Sequence, residues 1–235
     1  MKIYAIADLH LSLCGQKPME VFGANWDNYL EIIKSDWNEK VADDDLVLIA
    51  GDISWAMKME EFDLDLKFFE GLKGKIVFTR GNHDYWWDSI SKVRSHLKPN
   101  MYAIQNDCLR FENVLICGTR GWVIPEMNQP QTEEDAKIYN REIERTTLSL
   151  KTMQKMRKDG DKVIFMIHYP PFNSTRNQNE FLDLFEEYGV DVVVYGHLHG
   201  KNVKAKLQEQ RNGIDFYLTS TDQINHHMVE IDLNK

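Results

Sequence analysis

The ten residues FTRGNHDYWW (Phe78–Trp87) place an amide, an imidazole and a carboxylate at three consecutive positions after one glycine. This polar group comes shortly after KIVF, an apolar run with the length and continuity expected of a buried strand. A turn needs only the glycine, so Asn82, His83 and Asp84 require another explanation. That explanation depends on whether other strands of this chain end in the same way.

Apolar runs of strand length recur along the chain and are continuous rather than alternating, as expected for strands buried on both faces. They span residues 2–7, 46–50, 75–79, 114–118, 162–167 and 190–195. Helical periodicity separates several of them, over residues 25–40, 59–72, 133–157 and 178–188. This alternation predicts an α/β fold. The last third contains strand-like segments without intervening helices, which predicts antiparallel strands at the end of a sheet.

Five of the predicted strands are followed by polar residues drawn from Asp, Asn and His. These residues are Asp8 and His10, then Asp52, then Asn82 with His83 and Asp84, then His168, then His197 and His199. Ligands of open α/β sheets gather at the carboxyl ends of the strands. We therefore expect these side chains to converge on one site.

The residue types at the strand ends are those that bind transition metals. Asp8 and His10 are two positions apart, so in an extended chain both side chains point to the same side, and His197 and His199 repeat this spacing. Carboxylate, amide and imidazole groups bind Mn, Fe, Co or Zn. Without His83 and Asp84, seven potential ligands remain, which is more than one tetrahedral ion needs. A carboxylate that binds one ion through each oxygen would divide them between two ions, and Asp52 is the natural bridge.

Each of these short patterns also has a purely structural explanation. The dipeptide Gly51-Asp52 is an ordinary turn, Asn82 could cap a helix over residues 85–97, and His168 could be a buried histidine with satisfied hydrogen bonds. The combined pattern is harder to explain in this way, because five of the eight histidines fall in these motifs. Gly51, Gly81 and Gly196 precede the polar residues and would let the backbone approach an ion closely.

Composition limits the classes of function. The chain has 235 residues, which predicts one domain over residues 1–235, and its net charge is -9. No basic run predicts an extended nucleic-acid surface, and no apolar run is long enough to span a membrane. Three cysteines without CxxC spacing, Cys14, Cys108 and Cys117, favour reduced thiols and a cytoplasmic location. The oligomeric state stays open.

The assembled motifs resemble those of the calcineurin-like metallophosphoesterase superfamily, whose pattern is D-x-H, G-D, G-N-H-D/E, a single H and G-H-x-H. Every block occurs here in order, between residues 8 and 199. The resemblance implies a four-layer α/β/β/α sandwich with mixed sheets. It also implies two divalent metal ions (Mn, Fe, Zn, Co or Ni, with Mn or Fe favoured).

The resemblance further implies a role for each site residue. Asp8, His10, Asp52 and His199 would bind one ion, and Asp52, Asn82, His168 and His197 would bind the other. A hydroxide that bridges the ions would attack phosphorus. His83 would be catalytic, by stabilising the transition state or protonating the leaving oxygen. Asp84 would assist it by a hydrogen bond that raises the basicity of His83.

The implied activity is metal-dependent hydrolysis of a phosphomonoester or a phosphodiester, so the enzyme would be a phosphatase or a phosphodiesterase. Two alternatives stay open: a phosphodiesterase or nuclease-type enzyme, and a non-catalytic protein-interaction scaffold on the same fold. Substrate specificity is expected in loops outside the motifs. Residues 119–135 are the first candidate, where Arg120 could contact a phosphate and Trp122 could stack on a base, and residues 169–173 are the second.

Overall fold

The structure is a computed structural model that describes residues 1–13, 15, 17–126 and 131–233. Cys14 and part of the predicted specificity loop, residues 127–130, lie outside the described residues. Within the described ranges the chain forms two β-sheets and five α-helices. None of the described helices has the length and apolar character that crossing a membrane requires.

The first sheet has five strands, in the order β11-β1-β2-β3-β4. Their bounds are β1 (Ile3–Ile6), β2 (Leu46–Ala50), β3 (Lys75–Thr79), β4 (Met101–Ile104) and β11 (Val229–Glu230). β1 to β4 are parallel, and β11 adds an antiparallel edge beside β1. The carboxyl ends of β1, β2 and β3 therefore lie side by side at one edge of this sheet.

The second sheet has six strands, in the order β5-β6-β7-β8-β10-β9. Their bounds are β5 (Cys108–Phe111), β6 (Val114–Thr119), β7 (Lys162–Ile167), β8 (Val192–Tyr195), β9 (Gln208–Arg211) and β10 (Ile214–Leu218). The four central strands are parallel, and β5 and β9 are antiparallel edges. The predicted antiparallel ending is thus confirmed for β9 and β11 but wrong for β10, which pairs parallel to β8.

The helices cover the outer faces of the sheets. Their bounds are α1 (Tyr29–Lys40), α2 (Met59–Asp65), α3 (Ile90–His96), α4 (Glu133–Met156) and α5 (Glu180–Glu187). Thr132 begins α4 by accepting a hydrogen bond from Asp135 N, and Asn179 caps α5 in the same manner. Three acidic residues in the first turn of α4 complement the positive end of its dipole.

Three apolar clusters give the molecule its layers. The middle cluster joins the sheets and includes Ala5 and Leu48 of the first and Ile116 and Val194 of the second. Neighbouring residues of the same strands, such as Tyr4 of β1, point outward into the cluster that packs α1, α2 and α3 on the first sheet. The third cluster packs α4 and α5 on the second sheet. Each central strand is buried on both faces, which confirms the predicted α/β/β/α sandwich.

Candidate metal centre

The polar residues that follow β1, β2, β3, β7 and β8 meet at one edge of the sandwich. Backbone hydrogen bonds join the two sheets there: Ala7 N donates to Thr219 O at 2.8 Å, and Thr221 N donates to Ala7 O at 3.0 Å. Within the second sheet, Gly196 N donates to His168 O at 3.1 Å and joins the ends of β7 and β8. The site is therefore built between the carboxyl ends of both sheets, where we expected ligands to gather.

Four of the predicted ligands adopt left-handed backbone conformations. The φ angles are 58° at Asp8, 47° at His10, 50° at Asp52 and 70° at His197. This region is uncommon outside glycine, although Asp and His enter it more readily than most residues. It costs on the order of 1–2 kcal/mol per residue and persists where the surrounding structure enforces it. These left-handed residues follow the ends of β1, β2 and β8, at the turns that carry the predicted ligands.

Two of the glycines noted in the sequence allow very close packing at the site. A Cβ atom on Gly81 would lie 2.1 Å from Asp52 Oδ1, and one on Gly196 would lie 2.6 Å from Asp8 Oδ2. Real Cβ atoms do not approach other atoms this closely, so only glycine fits. The turn that carries Asn82 thereby packs directly against Asp52.

One group of donor atoms forms around Asp8. Ligand atoms of Asp8, His10 and His199 all lie within 4.8 Å of one another. Asp8 and His10 are fully buried, and His199 is exposed at the mouth of the site. The three side chains can therefore share one ion that remains open to a substrate.

A second group forms around His168. Ligand atoms of Asp8, Asp52 and His168 also lie within 4.8 Å of one another. Asn82 Oδ1 lies 2.8 Å from His168 Nε2 and 2.9 Å from His197 Nδ1. Asn82 therefore points into the site rather than capping a helix, and the nearest helix, α3, begins eight residues later at Ile90.

Asp52 belongs to the second group and also approaches His10 of the first. Its Oδ2 atom is 3.4 Å from His168 Nε2 and 3.8 Å from His10 Nε2. This placement is compatible with the predicted bridging role of Asp52, but Asp8 is the residue that belongs to both groups. The structure thus brings all seven predicted ligands together, while their division between two ions stays a prediction.

Several buried polar atoms at the centre have no hydrogen-bond partner among the described residues. Both ring nitrogens of His10 and the Oδ2 atom of Asp52 are buried and accept or donate no hydrogen bond among the described residues. Leaving such atoms unpaired costs free energy. Divalent cations bound by carboxylate, amide and imidazole groups would satisfy them. The donor set therefore fits the metal ions that the sequence pattern implies.

A model of the calcineurin-like phosphoesterase family matches residues 1–201 of this sequence, a range that contains every residue of the site. The chain belongs to the calcineurin-like phosphoesterase family. Enzymes of this family are generally hydrolases that use a dinuclear metal site, so family membership and the donor groups together support a metal-dependent phosphoesterase.

Solved structures share the fold of this phosphoesterase at low sequence identity. TT1561 of Thermus thermophilus has a TM-score of 0.59 at 14% identity, over 99% of each chain. Phosphopantetheinyl hydrolase from Mycobacterium tuberculosis has a TM-score of 0.56 at 13% identity, over 98% of this chain and 95% of that one. AQ665 from Aquifex aeolicus has a TM-score of 0.50 at 10% identity, over 97% and 95%. A search of curated proteins found no match.

The protonation of the phosphoesterase site follows from its burial. Burial lowers the pKa of both His10 and His197 to about 3, so these imidazoles are neutral and keep a lone pair for an ion. Burial also raises the pKa of Asp8 to about 6, with a further contribution from the charge of Asp52.

His168 is the exception among the buried histidines. Burial by itself lowers its pKa, but the carboxylates of Asp52 and Asp8 outweigh burial and raise the pKa to about 9. Its Nδ1–H donates to Ala50 O at 2.9 Å, which directs Nε2 into the site. An ion that binds Nε2 must therefore displace a proton there.

His83 lies beside the predicted ligands. Its backbone N–H donates to Asp52 Oδ1 at 2.8 Å, and its ring centroid is 5.6 Å from that of His10. The ring is half-buried, and burial lowers its pKa. Its Nδ1 atom has no hydrogen-bond partner among the described residues.

Asp84 requires a correction, because it does not form the predicted hydrogen bond with His83. Its carboxylate is fully buried and instead accepts bonds from Gly81 N at 2.7 Å, Ile53 N at 2.9 Å and Trp86 Nε1 at 3.0 Å. Ser54 N donates to it at 3.2 Å. The donors lie on the 52–54 segment and on its own turn, so Asp84 joins these two segments and positions Asn82 and His83.

Two aromatic rings pack on the site histidines. Trp55 stacks on His10 with ring centroids 4.6 Å apart and planes at 18°, and it lies 4.4 Å from the ring of His83. Tyr169 lies 4.2 Å from the ring of His197. Tyr169 belongs to the second candidate specificity loop, whereas Trp55 was not predicted, because a tryptophan three positions after Asp52 has no signal of its own.

Proposed function

We propose that this chain is a dinuclear metal-dependent phosphoesterase that uses all seven converging side chains as ligands. The observation that carries the proposal is the set of buried atoms at the centre that have no hydrogen-bond partner among the described residues. One of them, Asp52 Oδ2, lies 3.4 Å from His168 Nε2 and 3.8 Å from His10 Nε2. A protein-interaction scaffold would gain nothing from the free-energy cost of leaving these buried atoms without hydrogen bonds. The proposed ligands are Asp8, His10, Asp52 and His199 for one ion, and Asp52, Asn82, His168 and His197 for the other.

When bound, two divalent ions act as Lewis acids: they lower the pKa of a water and neutralise phosphoryl oxygens. The protein contributes orientation. Left-handed turns at four ligands and glycines at two contacts hold the donor atoms before any ion arrives. The hydrogen bond from His168 Nδ1 to Ala50 O and the stacking of Trp55 on His10 fix two of the imidazoles.

His83 is the proposed catalytic residue of the chain itself. Its half-buried ring adjoins the ligand histidines without taking part in either ligand group. A neutral imidazole whose Nδ1 lacks a partner among the described residues can donate a hydrogen bond to a phosphoryl oxygen or pass a proton to the leaving oxygen. Asp84 acts as a positioning residue through the turn that carries His83.

The proposed substrate is a phosphate ester, either a monoester or a diester. The net charge of -9 and the absence of a basic run in the sequence weigh against an enzyme that follows a long nucleic acid. We further propose a cytoplasmic location: Cys108 and Cys117 are free thiols although their Sγ atoms are 3.8 Å apart, as expected in a reducing compartment.

Hydrolysis of a chromogenic diester and of the matching monoester, by protein stripped of metal and reloaded with Mn²⁺, tests the proposal. We expect turnover of at least one ester that disappears with chelator and returns with Mn²⁺. The ratio of the two rates decides between phosphatase and phosphodiesterase. No turnover of either ester by protein that binds two ions would favour the scaffold.

A further inference from the structure

A polar cavity lies beside the candidate metal centre. It encloses about 180 Å³ and is lined by the ends of β3, β4 and β6 and by one face of α4. β3 and β6 lie next to β2 and β7, whose carboxyl ends carry Asp52 and His168. The cavity is therefore displaced by about one strand from the centre of the metal site, along the same edge.

Backbone connections link the lining of this cavity to the metal site. Arg80 lies two positions before Asn82, on the turn that packs against Asp52. The carbonyl oxygen of Arg120 accepts hydrogen bonds from His168 N and Tyr169 N, both at 3.1 Å. The two sites thus share the same rigid turns.

The lining is strongly and unevenly charged. It contains four arginines and a single carboxylate: Arg80, Arg120, Arg141, Arg145 and Glu142. Glu142 is fully buried and already engaged, since it accepts bonds from Arg145 Nη1 at 2.6 Å and from Gly121 N at 3.2 Å. Its distance to Arg120 Nη2 is 3.9 Å, beyond hydrogen-bond length.

Among the described residues, the other three guanidinium groups have no hydrogen-bond acceptor, although Arg120 and Glu142 form an ion pair at 3.9 Å. The Nε atoms of Arg80 and Arg120 are buried without a hydrogen-bond partner among the described residues. Arg120 otherwise lies over the ring of Trp122, at 4.9 Å, and neither Arg80 nor Arg141 forms an ion pair in the described part of the chain. Like charges held together without acceptors cost free energy, and a bound anion would offset that cost.

We propose that this arginine pocket binds a phosphoryl group distinct from the one that is hydrolysed. Guanidinium groups present paired N–H donors that match phosphate oxygens. The cavity is smaller than the roughly 300–1,000 Å³ typical of whole small-molecule sites, which suits a single anionic group. The phosphoryl group belongs either to a substrate that carries a second phosphate or to free phosphate, since the same guanidinium contacts would bind the oxygens of both.

The binding test titrates inorganic phosphate into the full chain by calorimetry, once with chelator present and once after Mn²⁺ loading. We expect binding that persists with chelator and weakens at least about tenfold in Arg141→Gln, the loss of one charge-assisted contact. Arg141 is exposed and pairs with no acidic group among the described residues, so the variant should fold. Arg80→Gln provides a second variant in a different element.

The matched control is Lys151→Gln, which removes one exposed positive charge from α4 outside the pocket lining. Phosphate binding should be unchanged in this control. Equal binding by wild type and both arginine variants, or no binding by wild type with chelator present, would overturn the proposal.

A second arm identifies the source of the phosphate, and this arm rests on the proposed phosphoesterase function. The KM is measured for two chromogenic nucleotide esters, of which one carries an additional phosphate on its ribose. A KM at least about tenfold lower for the doubly phosphorylated ester, in wild type but not in Arg141→Gln, assigns the pocket to the substrate. If the two KM values are equal and free phosphate binds in a manner that depends on Arg141, the pocket is assigned to the free phosphate ion. Absence of turnover with intact Arg141-dependent binding would contradict the proposed function and leave the pocket supported.

Discussion

The two ends of the same parallel strands differ in how completely their charged and polar side chains are paired. Asp45, Asp161 and Asp191 directly precede β2, β7 and β8, whereas Asp52, His168 and His197 follow those strands closely. At the amino ends every one of these carboxylates is paired: Asp161, for example, accepts bonds from both Nη atoms of Arg110, at 2.8 and 2.6 Å, and from Lys158 N.

At the carboxyl ends the pairing is incomplete. His10 and Asp52 retain buried atoms without partners among the described residues, and four residues hold left-handed backbone conformations. This difference indicates that pairing within the chain stabilises the amino ends, and it supports the proposal that metal ions complete the pairing at the carboxyl ends. Stability and function should therefore respond to substitutions at different ends of one strand.

The largest effect is expected at the two ends of β2. Asp52→Asn should lower turnover by about four orders of magnitude and reduce the number of bound ions, since Asp52 is the proposed ligand of both ions and approaches both His168 and His10. Asp45→Asn is the matched substitution at the amino end. It turns an amide N–H toward one of the donors Lys2 N and Ala42 N and should cost about 1–3 kcal/mol of unfolding free energy, with turnover unchanged. Kinetics, metal analysis and denaturant unfolding check both, and equal loss of turnover in the two variants would break the comparison.

The next largest effect on turnover is expected at His83, which follows the carboxyl end of β3. His83→Ala should lower turnover by about 10²–10⁴-fold and keep both ions, because its ring belongs to neither ligand group. His96→Ala removes a histidine that pairs with Asp63 on α2 and serves as the control with normal turnover. Metal analysis after dialysis is the deciding measurement, since loss of an ion from His83→Ala would make His83 a ligand.

The two glycines that flank β3 sharpen the comparison further. Gly81→Ala should lower turnover by about a hundredfold, because the new Cβ atom would displace Asp52. Gly74→Ala, before β3, places alanine at a φ of 88° and 2.8 Å from Val41 Cγ1. It should cost about 1–2 kcal/mol of stability without changing the turnover per folded molecule. A stable but inactive Gly74→Ala would contradict the division between the ends.

The smallest effect is the pH dependence of the amino end. The hydrogen bonds from Arg110, together with its charge, lower the pKa of Asp161 to about 2. A depressed folded-state pKa contributes stability that is present above the unfolded value of about 3.9 and is lost as the pH falls toward 2. The difference in Tm between wild type and Asp161→Asn should therefore be constant from neutral pH down to about 5 and shrink below about 4. A difference that does not change between about pH 5 and about pH 2 would contradict this.

The sequence predicts most of the central fold because the signal is local. β2, β3 and β7 have the predicted bounds, since each is a continuous apolar run buried on both faces. The short β4 and β5 were missed: four residues with partly exposed positions give little periodicity. The parallel pairing of β10 with β8 was likewise unpredictable, because the direction of pairing depends on the path of the segment that connects the strands, and no local pattern encodes that path.

The same limit applies to the site. The candidate ligands follow strands and are found from that position alone. The partners of Asp84 are backbone N–H groups of the 52–54 segment and of its own turn, and no spacing in the sequence reveals them. The arginine pocket is only partly predictable: Arg120 was a candidate phosphate contact, but Arg80 and Arg141 lie on separate elements that only the folded sandwich brings beside it.

The central claim is that the carboxyl ends of the sheets hold two catalytic ions. The most direct test is a titration of metal-stripped protein with Mn²⁺, in which bound metal and ester hydrolysis are measured on the same samples. We predict saturation at two ions per chain, with turnover rising as the second ion binds. Saturation at a single ion, or hydrolysis that does not depend on bound metal, would contradict the account.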